Sequence, residues 1–361
     1  MTDAAGERPA GGLAGIEREL AALWRSQSAG DDAVVRACEH NLIVVCAEGG
    51  AEVAGASAVV ARTVASAPGR AILLVPTDEV RGLNAFVSAN CHLAAGGRTV
   101  CSEQITLETG PDAAPLVSGS ILTLLVGEMP VFTWWRRPAL QDDPLLAPLQ
   151  ELSDCWIVDS ARLERPADRL KELRRIAARP GWHGHVADIA WMRLDPWREA
   201  VAALFDTPAM RAHLDAVERV AVAAGGPAAE GGLTAAGASI AGWLASRLGW
   251  TPGDRPRRWR ARDGRRVTIE LSRESALPAG QVSSVRIESA GQGSRGLFTV
   301  RRAGPDADII VSTVEVRSSC PLPRKVQLPQ RDEAALLCGT LQEPVRDRVF
   351  EAALEAAAAL S

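Results

Sequence analysis

The sequence predicts an α/β chain in two parts. The first is a mostly parallel sheet with helices on both faces; the second is α+β, an antiparallel meander with terminal helices. Three observations carry this. Up to about residue 180, short and uniformly apolar runs alternate with helical stretches of about 10–18 residues, the signature of a sheet buried on both faces. From Arg257 onward the pattern changes to strict alternation, as in an antiparallel sheet with one dry face. Finally, 361 residues exceed the roughly 100–200 that one core serves.

The elements run in order along the chain. A short amphipathic helix is expected near Ile16–Arg25, then a strand at 41–47 (NLIVVCA) and a helix at 50–67. AILLVP (71–76) is a buried-strand run, RTVCSEQITLET (98–109) alternates like a strand, and PLVSGSILTLLVGEM (115–129) is an apolar helix. VFTWW (131–135) and WIVDS (156–160) are strands, separated by a helix at 145–155 and followed by another at 166–180. Residues 188–206 hold a helix that Pro196 starts in its first turn. The stretch 210–222 has no clear period, and Gly225–Gly232 is a break. A helix over 234–250 ends at Gly249. Four period-2 runs come next: RRWRARDGRRVTIEL, VSSVRIES, GLFTVRRA and ADIIVSTVEV. A Pro-punctuated link (321–329) leads to helices at 331–342 and 344–358. The expected division is a tail and short helix over 1–30, an α/β domain over 31–224, and an α+β domain over 225–361.

Composition excludes several chemistries. A formal net charge of −4 argues against a basic groove for nucleic acid, and no apolar run is long enough for a bilayer. There is no Tyr, and the only lysines are Lys171 and Lys325. Neither comes after a glycine-rich loop, so no P-loop is present, and a Tyr/Lys oxidoreductase pair is impossible. Seven scattered cysteines without C-x-x-C fit a reduced, cytoplasmic protein rather than a disulfide scaffold. Met1–Gly15 lacks an apolar core and reads as a disordered tail rather than a signal peptide.

Sites for small-molecule chemistry are sparse. The first strand–helix turn, VCAEGGAEVAG, does not match G-x-G-x-x-G, and Glu48 stands where a pyrophosphate would approach; a tight turn is the better reading. Asp78, in PTDE, supplies the acid expected after a second strand, but without the glycines. His183-Gly-His185 offers two metal ligands and no recognisable third, so no metal is expected. His40 and His92 lie near Cys38 and Cys91, and a Cys/His dyad would activate a thiolate, but sequence neighbours on a strand point to opposite faces, so inert buried thiols are the better reading. Asp159-Ser160 sits at the carboxyl end of a strand, where α/β folds place ligands, and is equally an N-cap for the PADRL helix. No nucleophile–base set is recognisable, and no cofactor is expected.

Tryptophan stands out. Ten Trp without Tyr is unusual, and several adjoin Arg: Trp135-Arg136-Arg137, Trp197-Arg198 and Trp259-Arg260. Trp and Arg are enriched in protein–protein hot spots, but an indole equally well fills its own domain's core. Both readings stand at this point.

Five blocks in order, RACEHNLIVVC (36–46), CSEQITL (101–107), MPVFTWWRR (129–137), WIVDS (156–160) and DIAWMRLDPWRE (188–199), resemble the OpcA family of glucose-6-phosphate dehydrogenase assembly proteins. The family pattern falls on Arg36, Cys38, Asn41 and Leu42; on Cys101, Glu103, Gln104 and Thr106; on Pro130, Phe132, Trp134, Trp135 and Arg136; on Asp159 and Ser160; and on Trp191, Arg193, Pro196, Trp197 and Arg198. Where the family often has Asn, this chain has Ala190, so a polar role there does not carry over. The resemblance implies a non-catalytic protein that binds glucose-6-phosphate dehydrogenase and favours its active, assembled state. Trp134, Trp135, Arg136, Trp191, Arg193, Trp197 and Arg198 are then the candidate partner contacts. A redox response of the kind associated with the family would need two thiols to meet, and Cys38 with Cys101 is the pair it implies. The alternative is a divergent α/β enzyme or sensor that takes a sugar phosphate or nucleotide near Asp78, Asp159 and Ser160.

Overall fold

Two eight- to nine-stranded sheets organise the chain in a computed structural model that describes residues 8–9, 13–27, 34–93, 99–140, 143–255, 257–291, 294–304, 307–317 and 321–360. Contacts group into two units. Unit 1 comprises Met1–Val158, Pro180–Ala187 and Arg331–Arg346; unit 2 comprises Asp159–Arg179, Asp188–Gln330 and Asp347–Ser361. The expected N-terminal tail and Cys320 fall largely or wholly outside the described residues.

Unit 1 carries the strands β1 (Arg8–Pro9), β2 (Val34–Arg36), β3 (Asn41–Val45), β4 (Arg70–Pro76), β5 (Leu83–Leu93), β6 (Thr99–Thr109), β7 (Val131–Trp135), β8 (Cys155–Val158) and β9 (His185–Asp188). Their order is β1-β5-β6-β4-β3-β7-β8-β9, with β2 also on β6. The pairs β6/β4, β4/β3, β3/β7 and β7/β8 are parallel, and β5 and β1 add an antiparallel edge. Every residue of β3 and β7 is buried, as strands covered on both faces must be. The crossovers carry α2 (Gly50–Thr63), α3 (Ala114–Leu124) and α4 (Leu146–Leu152), while α1 (Leu13–Gln27) packs on β5 and α10 (Glu333–Gln342) on α2. The expected parallel sheet is therefore observed. β5 and β9 were not expected as strands: β5 interleaves Asn, Ser, Cys and His with its apolar residues, which hides its period, and β9 is only four residues long.

Unit 2 carries β10 (Val217–Ala224), β11 (Thr251–Pro252), β12 (Arg258–Arg260), β13 (Arg266–Arg273), β14 (Val282–Gly291), β15 (Ser294–Arg302), β16 (Ile309–Val316) and β17 (Arg324–Gln327), in the order β11-β12-β13-β10-β14-β15-β16-β17. The expected meander forms with antiparallel neighbours, and Gly264 (φ 84°) turns the chain between β12 and β13. The aperiodic stretch before the glycine break contributes β10, inserted between β13, to which it is parallel, and β14. The Pro-punctuated link supplies the edge strand β17.

One face of this sheet is covered. The helix α9 (Ala235–Leu248) packs on β10 and β13, capped by the Thr234 hydroxyl and closed by Gly249 (φ 66°) as its sequence requires. Against α9 lies α11 (Arg348–Ala358), so closely that a Cβ on Gly242 would stand 2.3 Å from the Ala353 carbonyl oxygen. Next to α11 lies α5 (Pro166–Ala177). Short helices α6 (Ile189–Arg193), α7 (Asp195–Ala203) and α8 (Pro208–Arg211) complete the unit, with α7 against β15.

Candidate functional site

The first motif blocks build a buried polar network in unit 1. Glu103, midway along β6, is 4% exposed. Its Oε1 accepts from Trp24 Nε1 at 2.6 Å and pairs with Arg36 at 2.8 Å; its Oε2 accepts from Arg70 at 2.7 Å. Arg70, itself buried, also donates to the Leu124 carbonyl at 2.6 Å. A carboxylate in a core is tolerated only when so completely paired. Gln104 joins Ser57 on α2 to Asn90 on β5. Asn41 clips the turn before β7, donating to the Val126 carbonyl at 2.9 Å and accepting from the Val126 amide at 2.8 Å. These motif residues thus tie strands, helices and a turn together.

The thiols are arranged differently from expectation. Cys101 is disulfide-bonded to Cys91, directly opposite it in the β5/β6 register, and not to Cys38. Facing residues of an antiparallel pair hold their Cβ atoms within cross-linking distance, and the mixed polarity of β5 hides it as a strand. Cys38 is a free, half-buried thiol whose Sγ contacts the His40 carbonyl, and burial raises its pKa. Burial also pushes Cys46 up to about 12, and Cys155 higher still, so both are poor nucleophiles. His40 is lowered to about 4 by burial and packs edge-on against Phe132, neutral at ordinary pH.

The Trp/Arg candidates divide between the units and are largely interior. In unit 1, Trp134 and Trp135 are 1% and 2% exposed. Trp135 stacks on Trp156 at 5.3 Å and donates to the Ala139 carbonyl; Arg136 lies 4.2 Å from the Trp134 ring and bridges Glu52 and Glu333. In unit 2, Trp191 and Trp197 are 3% and 2% exposed. Arg198 covers the Trp191 ring at 3.5 Å, and the Trp191 Nε1 donates to Asp347 at 2.8 Å. Arg193 pairs with Asp159 at 2.8 Å. An exposed Trp/Arg surface at these residues is therefore not formed: the sheet is covered on both sides of β7, and each guanidinium is drawn onto an indole or a carboxylate of its own unit.

Asp159 and Ser160 act as local caps. The Asp159 carboxylate accepts from the Ala161 amide, while Ser160 donates its amide and hydroxyl to Asp188 at 2.9 and 2.6 Å. Burial raises Asp188 to about 6. His183 and His185 gain no third ligand: among the described residues, no group of three or more His, Cys, Asp or Glu suits a metal ion.

A cleft of about 310 Å³ opens at the carboxyl ends of the parallel strands in unit 1. Glu48, Thr77, Asp78, Thr109, Gly110 and Arg137 contribute to its wall. Topology sets its position. Numbered from β3, the parallel core runs third, second, first, fourth and fifth, and such sheets bind ligands where the order reverses, here between β3 and β7. Gly49 adopts φ 107°, and open space lies around Gly49, Gly50 and Gly55. The charge is wrong for a pyrophosphate, however. Glu48 and Asp78 have no partner among the described residues, and Arg137 is already held by Asp143 and the Cys46 carbonyl. Asp78 lines this cleft; Asp159 and Ser160 belong to unit 2.

One feature of unit 2 escapes a reading of the sequence. The uncovered face of its sheet presents Arg219, Arg258, Arg266, Arg286 and Arg295 around a shallow depression of about 620 Å³. The signal lies in the polar positions of the alternating runs, where arginine recurs between buried residues. Alternation alone marks such positions only as solvated, and strand register is needed to gather them.

Comparison with known proteins covers residues of both units, with boundaries different from those of the units. Residues 61–175 match the family described as glucose-6-phosphate dehydrogenase subunit N-terminal domain, and residues 184–354 match its C-terminal domain, OpcA in both cases. Two relatives carry the provisional name OxPP cycle protein OpcA. The one from Synechocystis is 32% identical over 191 residues, covering 52% of this chain and 38% of the relative; the one from Nostoc punctiforme is 35% identical over 190 residues, covering 51% and 39%. The chain thus spans about two-fifths of the length of these curated relatives. Among solved structures, the 3-ketoreductase KijD10 of Actinomadura kijaniata aligns over 89% of this chain and 95% of its own at 13% identity, with a TM-score of 0.48. With both domain models matched in sequence order and the named relatives agreeing, the chain belongs to the OpcA family.

Proposed function

We propose that this chain is a non-catalytic assembly partner and allosteric activator of glucose-6-phosphate dehydrogenase in the oxidative pentose phosphate pathway, acting in the cytoplasm. The observation that carries the reading is the match of two successive family domains, both described as parts of a glucose-6-phosphate dehydrogenase subunit. The cleft in unit 1 supports it: Glu48 beside Gly49 repels the phosphates that an oxidoreductase cofactor would place there. An activator works only through differential affinity. To turn an enzyme from mostly inactive to mostly active, it must bind the active oligomer about 10⁴-fold more tightly than the inactive form.

The test is to mix the purified chain with the cognate dehydrogenase and monitor rate and particle size together. A higher rate with a shift to a larger species supports the proposal. No change in either, over a range of concentrations, refutes it. A second reading, a sensor or divergent enzyme for a sugar phosphate or nucleotide, is favoured only by the placement of the cleft. It predicts that glucose 6-phosphate or NADP⁺ raises the melting temperature of the chain alone, with the rise lost in Asp78→Asn.

A further inference from the structure

We infer that the open face of the unit 2 sheet is a docking surface for a carboxylate-rich protein face. The inference rests on the assembly reading only for the partner's identity. The strand register sets out one row across the sheet: Arg258, Thr268, Arg219, Glu288, Leu297 and Glu315 stand side by side on β12, β13, β10, β14, β15 and β16. Alternate residues of the same strands, such as Trp259, Val267, Ile269 and Phe298, are buried in the core, so the residues of this row point the other way.

Charge decides what the face accepts. Its depression holds five arginines against three glutamates (Glu218, Glu288 and Glu315), in a chain whose formal net charge is −4. Positive charge is thus concentrated on one surface of an acidic protein. Internal pairing is partial: Arg286 meets Glu288 at 3.0 Å and Arg219 meets Glu270 at 3.3 Å, all of them substantially exposed. Arg266 and Arg295 have no partner among the described residues. Exposed pairs of this kind contribute little, being screened by solvent, so exchanging them for a partner's carboxylates costs little.

Other occupants fit less well. Single-stranded nucleic acid binds by stacking on aromatic rings, but Trp259 and Phe298 face the core. A lipid surface needs an apolar anchor, and Leu297 is the one large apolar side chain around the depression, half-buried. A second copy meeting this one face to face would set the same arginines opposite one another about a two-fold axis. A flat acidic face of a different protein meets none of these objections.

The experiment uses the full chain with Arg219→Glu, Arg266→Glu and Arg286→Glu combined, the cognate glucose-6-phosphate dehydrogenase, and a control with Arg18→Glu, Arg81→Glu and Arg175→Glu, which reverses three exposed charges elsewhere. The sheet variant should bind the dehydrogenase about 100-fold more weakly, with a shallower dependence of Kd on salt and an unchanged circular dichroism spectrum. The control should stay within about threefold of wild type. A sheet variant within threefold of wild type, or a control equally weakened, overturns the proposal. If the wild-type chain does not bind the dehydrogenase at all, the assembly reading fails, and the surface is judged by retention on immobilised poly-L-glutamate. Equal retention of wild type and sheet variant then overturns it. So does self-association, or oligonucleotide binding without poly-L-glutamate binding, that the three substitutions abolish.

Discussion

Removing the carboxylate of Glu103 leaves a guanidinium buried without its counter-charge. Arg70 is 5% exposed, and two of its nitrogens lie 2.7 Å from Glu103 Oε2. What remains for it in Glu103→Ala is the Leu124 carbonyl and a 3.3 Å contact to Glu17, whose side chain is 64% exposed. Breaking a buried pair by deleting one partner costs about 3–5 kcal/mol. That is a large fraction of the roughly 5–15 kcal/mol that keeps a domain folded, and it corresponds to a fall of about 6–20 °C in the melting temperature of a unit this size. The assay is urea unfolding monitored by tryptophan fluorescence, because Trp24 donates to the same carboxylate. The denaturant midpoint should drop at nearly constant slope. The double substitution Arg70→Met/Glu103→Leu should recover most of the loss, since apolar replacement of both partners is often neutral. If Glu103→Ala stays within about 0.5 kcal/mol of wild type, the carboxylate is not the counter-ion of a desolvated arginine.

Three further outcomes are expected. Trp135→Ala and Trp197→Ala should each lose about 3–5 kcal/mol of stability, because both indoles are 2% exposed; variants that keep the wild-type melting temperature but no longer bind the dehydrogenase would return these residues to the interface. Gly69→Ala should destabilise unit 1 by about 1–3 kcal/mol in the same unfolding assay, since its Cβ would stand 2.5 Å from the His40 ring, and a neutral effect would mean that the ring is free to move. Asp188 titrates near 6 when folded, because of burial, and near 3.9 when unfolded. The folded chain therefore takes up a proton between about pH 6 and 4 that the unfolded chain does not, and this group's contribution to stability improves as pH falls through that window. Wild type should gain about 1–2 kcal/mol on Asp188→Asn between pH 7 and 5, and parallel pH profiles would disprove the linkage.

Much of the architecture was legible because it rests on local pattern. NLIVV, RAILLVP and VFTWW have the continuous apolar character of two-sided strands, Pro and Gly mark helix ends, and the meander alternates strictly. The family emerged from ordered motifs for the same reason. The roles of those motif residues were less visible. Trp134-Trp135-Arg136 and Trp197-Arg198 look alike as short motifs whether they serve a partner or a core, and adjacency says nothing about what covers a side chain. The pairing of Cys101 with Cys91 also needed a strand whose mixed polarity concealed it.

The division has a physical basis. Period, polarity and capping are properties of a residue and its near neighbours, so the sequence alone established the fold class, most strands and helices, the lack of a dinucleotide fingerprint and the family motifs. Burial, register and strand order are set by segments far apart in the chain. Insertion of β10 between β13 and β14, reversal of the order at β3 and β7, and the face on which five arginines gather all depend on non-local pairing. The tertiary structure therefore placed in the core the tryptophans for which the sequence left core and interface equally open, and brought to light the arginine-bearing sheet that no single stretch of sequence displays.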